Sequence, residues 1–242
     1  MFEITMAGAG KNALGTDMMQ FLLDRIGEAG GRPILLTGTG DAFSAGLDLK
    51  EVASLDARAM EAFLRLLERL VSTLFAYPGP TVALVNGHAI AGGCVLALCC
   101  DQRVASASPK SKIGLTELAL GLCYPPRVMA VVRHRIPRQH VERVVLGAGL
   151  FDPATALGLG LVDQVADDAR AVAQRELAAC ASHDPAVYAA TKATLRAEAL
   201  PTAAGDDEEA FFVSQVLPVW TSPSTRERVT GFLARAKGPR GS

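Results

Sequence analysis

The sequence predicts an α/β fold with parallel strand pairing, on three observations. Amphipathic helical stretches alternate with short, wholly apolar strand-like runs. Those runs end in turns of Gly, Asn or Asp, and half of the chain is hydrophobic, enough for one compact core with an appended helical segment.

Taken in order, Ile4-Thr5-Met6 alternates weakly and gives way to Ala7-Gly8-Ala9-Gly10. Leu14, Met18, Phe21, Leu22 and Ile26 recur at helical spacing, and Gly30-Gly31 stops that helix. Pro33 to Thr37 is a β-rich apolar run, turned outward by Gly38-Thr39-Gly40-Asp41. From Leu55 to Phe75 a single apolar stripe runs through Met60, Leu64, Leu67, Val71 and Leu74, and Tyr77-Pro78-Gly79-Pro80 ends it. Thr81 to Val85 is a second buried strand running into Asn86-Gly87. A helix over Ala89 to Cys99 and a strand over Gln102 to Ala105 follow. Beyond Glu117 the chain reads mainly as helix, with Pro125-Pro126, Pro137, Pro153 and Pro185 at helix starts and one extended crossing at Leu161 to Val165. Asp184 to Ala236 gives two or three further helices, and Lys237 to Ser242 a frayed tail.

Charge narrows the function. Lys and Arg number 24 against 25 Asp and Glu, and no basic run is interleaved with aromatics, so nucleic acid is not an expected partner. The five cysteines show no CxxC spacing and sit among apolar neighbours, which fits a reducing compartment. With neither a signal-peptide pattern nor a long uncharged apolar stretch, no membrane association is expected and a cytoplasmic protein is. The histidines lack neighbours at metal-ligand spacing, and no serine lies in a GxSxG setting, so neither a metal site nor a serine nucleophile is expected. Gly38-Thr39-Gly40 lacks the third glycine of a dinucleotide fingerprint.

Two small-residue turns and one acid remain. Phe43-Ser44-Ala45-Gly46-Leu47-Asp48 and Ala91-Gly92-Gly93-Cys94 each follow an apolar strand, and free backbone N–H groups in such turns hold a developing oxyanion. The other reading of each is structural: a tight turn at Ala45-Gly46, and close helix packing at Gly92-Gly93. Glu117 lies in the apolar run Ile113 to Leu122 with no basic neighbour. Burial would raise its pKa and suit it to general-base work; alternatively it favours a helix dipole from a first turn. A lone carboxylate suits proton shuttling beside a carbonyl better than addition of water, which generally takes two groups.

Together with Asn12-Ala13-Leu14, Asn86-Gly87-His88, Asp101-Gln102-Arg103 and Gly158 to Asp163, these segments resemble the crotonase (enoyl-CoA hydratase/isomerase) superfamily over nearly the whole chain. The resemblance implies a crotonase-like spiral of ββα units over residues 1–183. It implies a helical C-terminal oligomerisation part over residues 184–242, and a homotrimer or a dimer of trimers. It implies acyl-CoA thioester substrates, with coenzyme A as part of the substrate and no separate cofactor. The N–H groups of Ala45 and Gly92 would form the oxyanion hole, Glu117 would be catalytic, and Ala45, Gly46, Leu47, Asp48, Leu49 and Thr116 would line the CoA path. Asp48 would lie near the adenine-binding bend.

Two departures separate this chain from the hydratases of that family. Val95 stands where they carry a Glu, and Cys123-Tyr124-Pro125-Pro126-Arg127 replaces a Gly-rich segment. The remaining pattern is similar to the mitochondrial-type Δ3,Δ2-enoyl-CoA isomerase, which works with one glutamate. Isomerisation of a 3-enoyl-CoA to a trans-2-enoyl-CoA is the leading expectation. The alternatives are another crotonase reaction, such as hydration of an unusual acyl-CoA or tailoring of a carrier-protein-bound acyl chain, and an acyl-CoA-binding paralogue without turnover. Relative to family members the start is also short, so one sheet edge is expected to be bare or covered by another subunit.

Overall fold

Three repeats build the centre of the molecule, each sending one strand to a large sheet and the next to a small one. The computed structural model describes residues 1–200 and 205–236, so the expected tail from Lys237 lies outside the described residues. The chain opens with β1 (Phe2–Met6), the turn α1 (Ala9–Asn12) and helix α2 (Thr16–Ala29). The first repeat is β2 (Ile34–Gly38), β3 (Ala42–Ser44), α3 (Leu49–Ser54) and α4 (Ala57–Phe75). The second is β4 (Thr81–Val85), β5 (His88–Ile90) and α5 (Gly92–Cys99). The third is β6 (Gln102–Ser106), β7 (Ile113–Gly114), a 3₁₀ turn over Glu117–Leu120, and α6 (Pro126–Arg135), α7 (Arg138–Gly147) and α8 (Pro153–Gly158). Strand β8 (Gln164–Ala166) and α9 (Ala169–Ala181) follow, then α10 (Pro185–Arg196), α11 (Asp206–Phe211), a π-helical turn (Phe212–Val216), α12 (Leu217–Thr221) and α13 (Pro223–Ala236).

The large sheet runs β1-β2-β4-β6-β8 and the small one β3-β5-β7, with every pairing parallel. Central strand β4 is buried at all five positions, as a parallel strand covered on both faces requires. On one face, Leu35, Val82, Leu84 and Val104 pack against Ala169, Ala173 and Leu177 of α9. On the other, Leu36, Ala83, Val85 and Ala105 join the main core with the stripe of α4 and the wholly buried α5. Helix α5 is apolar all round because it is enclosed all round.

Three sequence expectations shift. The helix expected from Ala89 starts at Gly92, because His88–Ile90 is a strand held between β3 and β7. The helix expected from Leu55 starts at Ala57, because Asp56 caps α4 by accepting from the Ala59 N–H at 2.8 Å, and the separate α3 lies wholly before Leu55. The late strand begins only at Gln164, since Asp163 is drawn into a paired contact with the buried Arg103. The proline-led starts hold: α6, α8 and α10 carry Pro in their first turn, and Pro137 directly precedes α7.

The last helices are tied to the core by charge. Asp101, just ahead of β6, receives Lys192 and Arg196 of α10 at 2.7 Å each and the Tyr188 hydroxyl at 2.9 Å. Glu209 of α11 pairs with Arg65 of α4, and Glu208 lies 3.5 Å from Arg127 of α6.

Candidate active site

The small sheet places the site. Its strands are parallel, with one register shift between Ala42 and Ser44 of β3, and place Ser44 beside Ala89, Ala89 beside Ile113 and Ile90 beside Gly114. The segments that follow them therefore leave by the same edge, the C-terminal edge where α/β folds place ligands. Ala45, Leu47, Ala91, Gly92, Thr116 and Glu117 converge there on a cleft of about 700 Å³ of atom-free space, mouth included.

Hydrogen bonds in the first loop decide which amide faces the cleft. Asn12 clamps the loop from behind, its Nδ2 donating to Thr39 O and Ala42 O at 3.0 and 2.9 Å. The Ser44 hydroxyl donates to Asn12 O at 2.8 Å and accepts from the Gly46 N–H at 3.2 Å. The Ala45 N–H donates to Lys11 O at 3.0 Å, and the Asp48 N–H to Leu14 O at 3.1 Å. Between them the Leu47 N–H has no acceptor among the described residues. Ala45 lines the cleft, but its amide is already engaged by Lys11 O, whereas the Leu47 amide two residues on is not engaged among the described residues.

The second amide depends on an unusual backbone. Ala91 takes φ 50° and ψ −123°, a conformation few side-chain-bearing residues adopt, and the Gly92 N–H that follows has no acceptor among the described residues. The two glycines divide the two readings of this turn. A β-carbon on Gly93 would meet Ser44 O at 2.3 Å, so Gly93 serves close packing, whereas Gly92 presents its amide to the cleft.

Glu117 opens the 3₁₀ turn and is 9 % exposed. It shares the cleft wall with Val95, Leu120, Leu122 and Val128, and burial pushes its pKa up to about 7. The Tyr124 hydroxyl donates to Oε2 at 2.7 Å and pulls the other way, as do the nearby Thr116 and Glu117 amides. Sequence reasoning passed over Tyr124; the available signal was a lone hydroxyl in an apolar run, since a buried tyrosine needs a partner. Val95 is 1 % exposed and lines the same cleft, on whose wall Glu117 is the one carboxylate among the described residues. Trp220 of α12 and Phe232 of α13 close the far wall, with the Trp220 indole donating to Cys123 O at 2.8 Å.

The other expected positions divide. Leu49 and Thr116 line the cleft, while Gly46 and Asp48 do not. Asp48 instead caps α3, accepting from the Lys50 N–H at 2.9 Å, and borders a shallow hollow with Gly8, Ala13, Met18 and Phe21. His88 lies off the cleft and accepts from the Lys112 N–H at 3.1 Å. Among the described residues no three His, Cys, Asp or Glu are grouped to hold a metal ion, and no helix is long and apolar enough to cross a membrane.

A sequence profile described as enoyl-CoA hydratase/isomerase matches residues 3–215. The chain belongs to the enoyl-CoA hydratase/isomerase family. It is 32 % identical over 228 residues to a Thermus thermophilus protein assigned as an enoyl-CoA hydratase, covering 92 % of this chain and 88 % of that one. It is 37 % identical over 132 residues to mouse mitochondrial enoyl-CoA delta isomerase 1, a match that spans 54 % of this chain and 46 % of the isomerase. The solved structure of human mitochondrial delta3-delta2-enoyl-CoA isomerase superposes with a TM-score of 0.86 at 24 % identity, over 99 % of this chain and 96 % of that one, which shows a shared fold. Hydratase and isomerase names thus both occur among the relatives of this enoyl-CoA hydratase/isomerase family member.

Proposed function

We propose that this chain is a Δ3,Δ2-enoyl-CoA isomerase in which Glu117 is the sole proton carrier. The observation that supports it is the cleft wall itself: one carboxylate, two unengaged amides, and Val95 in place of a second acid. In this reading the thioester carbonyl accepts from the Leu47 and Gly92 N–H groups, and Glu117 takes a proton from C2 to give a dienolate. The same carboxyl returns the proton at C4, so the double bond moves to C2–C3 with no net loss of atoms. Each amide lowers the barrier by about 3 kcal/mol by analogy with measured oxyanion donors. Apolar walls keep water from the dienolate and favour a carboxylate whose affinity for a proton is raised.

The same reading assigns Leu49 and Thr116 to the substrate path and the hollow beside Asp48 to the nucleotide end of coenzyme A. Residues 184–242 then form the helical part that assembles subunits as a homotrimer or a dimer of trimers, in the cytoplasm. No redox or metal cofactor is needed for the proton transfer. Identity to the Thermus protein over most of both chains favours hydration as the second reading.

One assay separates the two. Purified protein and Glu117→Gln are given trans-3-hexenoyl-CoA and trans-2-hexenoyl-CoA. Isomerisation of the first, lost in the variant, with little hydration of the second, is the expected result; dominant hydration, or isomerisation that survives Glu117→Gln, defeats the proposal.

A further inference from the structure

We propose that Tyr124 is a positioning residue for Glu117: its hydroxyl holds one carboxylate oxygen so that the other alone meets the substrate. The inference rests on the reading of Glu117 as the proton carrier. Both side chains border the cleft and both are nearly buried, at 5 % and 9 % exposure. Tyr124 donates to Oε2 at 2.7 Å, while Oε1 accepts no side-chain hydrogen bond among the described residues.

The chain is built to bring the pair together across seven residues. Gly121 at φ +69° ends the 3₁₀ turn, and the Leu122 N–H returns to Glu117 O at 3.0 Å. Trp220 holds Cys123 from one side, and Pro125-Pro126 launch α6 on the other, so the backbone of Tyr124 is fixed at both ends.

Among the described residues, no other side chain hydrogen-bonds or pairs with the Glu117 carboxyl. On α5, the buried thiol of Cys94 has its pKa pushed up to about 12 by burial and stays neutral. Cys123 is also raised by burial. Arg228 of α13 spends its guanidinium on Leu120 O at 3.0 Å and on the Thr225 hydroxyl at 2.9 Å. Burial holds the Tyr124 phenol far above its ordinary value, so it remains a donor throughout the working range. Its hydrogen bond favours the ionised carboxylate and offsets part of the rise that burial imposes on Glu117.

The test titrates Glu117 in the substrate-free protein by the infrared stretch of its protonated carboxyl, with Glu117→Gln as the blank. Tyr124→Phe is expected to raise the midpoint by about one pH unit. Site-specific 3,5-difluorotyrosine at position 124, a stronger donor of nearly the same shape, lowers it. In the isomerisation assay, Tyr124→Phe moves the acid limb of the kcat profile in the same direction and cuts the plateau roughly tenfold, with KM little changed. Added to Glu117→Gln it changes the residual rate by less than about twofold, because it acts through Glu117. Unmoved midpoints in both variants overturn the proposal. The infrared titration needs no turnover, so an inactive wild type would count against the isomerase reading and leave the Glu117–Tyr124 result to stand or fall separately.

Discussion

Gly46 lies so close to Gly92 that a β-carbon placed on it would sit 3.3 Å from the Gly92 amide nitrogen and 2.7 Å from Ile90 O. One loop of the proposed oxyanion hole is thus packed directly on the other, and Gly46 holds φ +87° while doing so.

Gly46→Ala combines a strained φ with that collision and is expected to cost about 1–3 kcal/mol of stability. The Leu47 and Gly92 amides are forced apart, and kcat falls on the order of a hundredfold. Urea midpoints and steady-state turnover measure the two effects. Undiminished turnover would remove this amide pair from the mechanism.

Glu117 makes folding depend on pH in a defined direction. Its folded-state pKa of about 7 is raised above the model-peptide value of 4.5, so the unfolded chain gives up the proton first. The contribution of Glu117 to stability is full below about pH 4.5, declines as pH rises to about 7, and levels off beyond, a total loss on the order of 3 kcal/mol. Glu117→Gln escapes that loss. Its melting temperature should exceed that of wild type by several degrees at pH 8 and by little at pH 4.5, while turnover disappears.

Trp220 is 3 % exposed and forms the far wall of the cleft. Trp220→Ala is expected to destabilise by about 3–5 kcal/mol and to move acyl preference toward longer chains. Trp220→Phe keeps most of the wall and loses the bond to Cys123 O, at about 1 kcal/mol. Comparison of kcat/KM across a series of acyl lengths separates the wall from the fold.

Asp101 faces two buried cations, Lys192 and Arg196. Asp101→Ala leaves both without their carboxylate and is expected to cost about 3–5 kcal/mol. Hydrogen exchange should then show α10 opening ahead of the sheet, and uniform loss of protection would contradict this.

Where local chemistry dictates structure, the sequence was readable. The stripe of α4, the buried strand Thr81–Val85 and the proline-led helices each carry their cause within a few residues. Strands β3, β5 and β7 are two or three residues long and exist through pairing between distant segments, so Ala89 looked helical. That the Ala45 amide is engaged was hidden for the same reason, since its acceptor is a carbonyl at Lys11, far back in the chain. Glu117 could be singled out by its apolar surroundings, but the return of the chain that brings Tyr124 to it is a tertiary event.

The cleft takes its first wall residue from position 45 and its last from position 232. On the ribosome, therefore, the amides and the carboxylate emerge long before the roof that Trp220 and Phe232 supply. The cleft wall is complete only once the helix bearing Phe232 has been made, so a chain cut before α12 leaves the two amides and the Glu117 carboxyl without that wall.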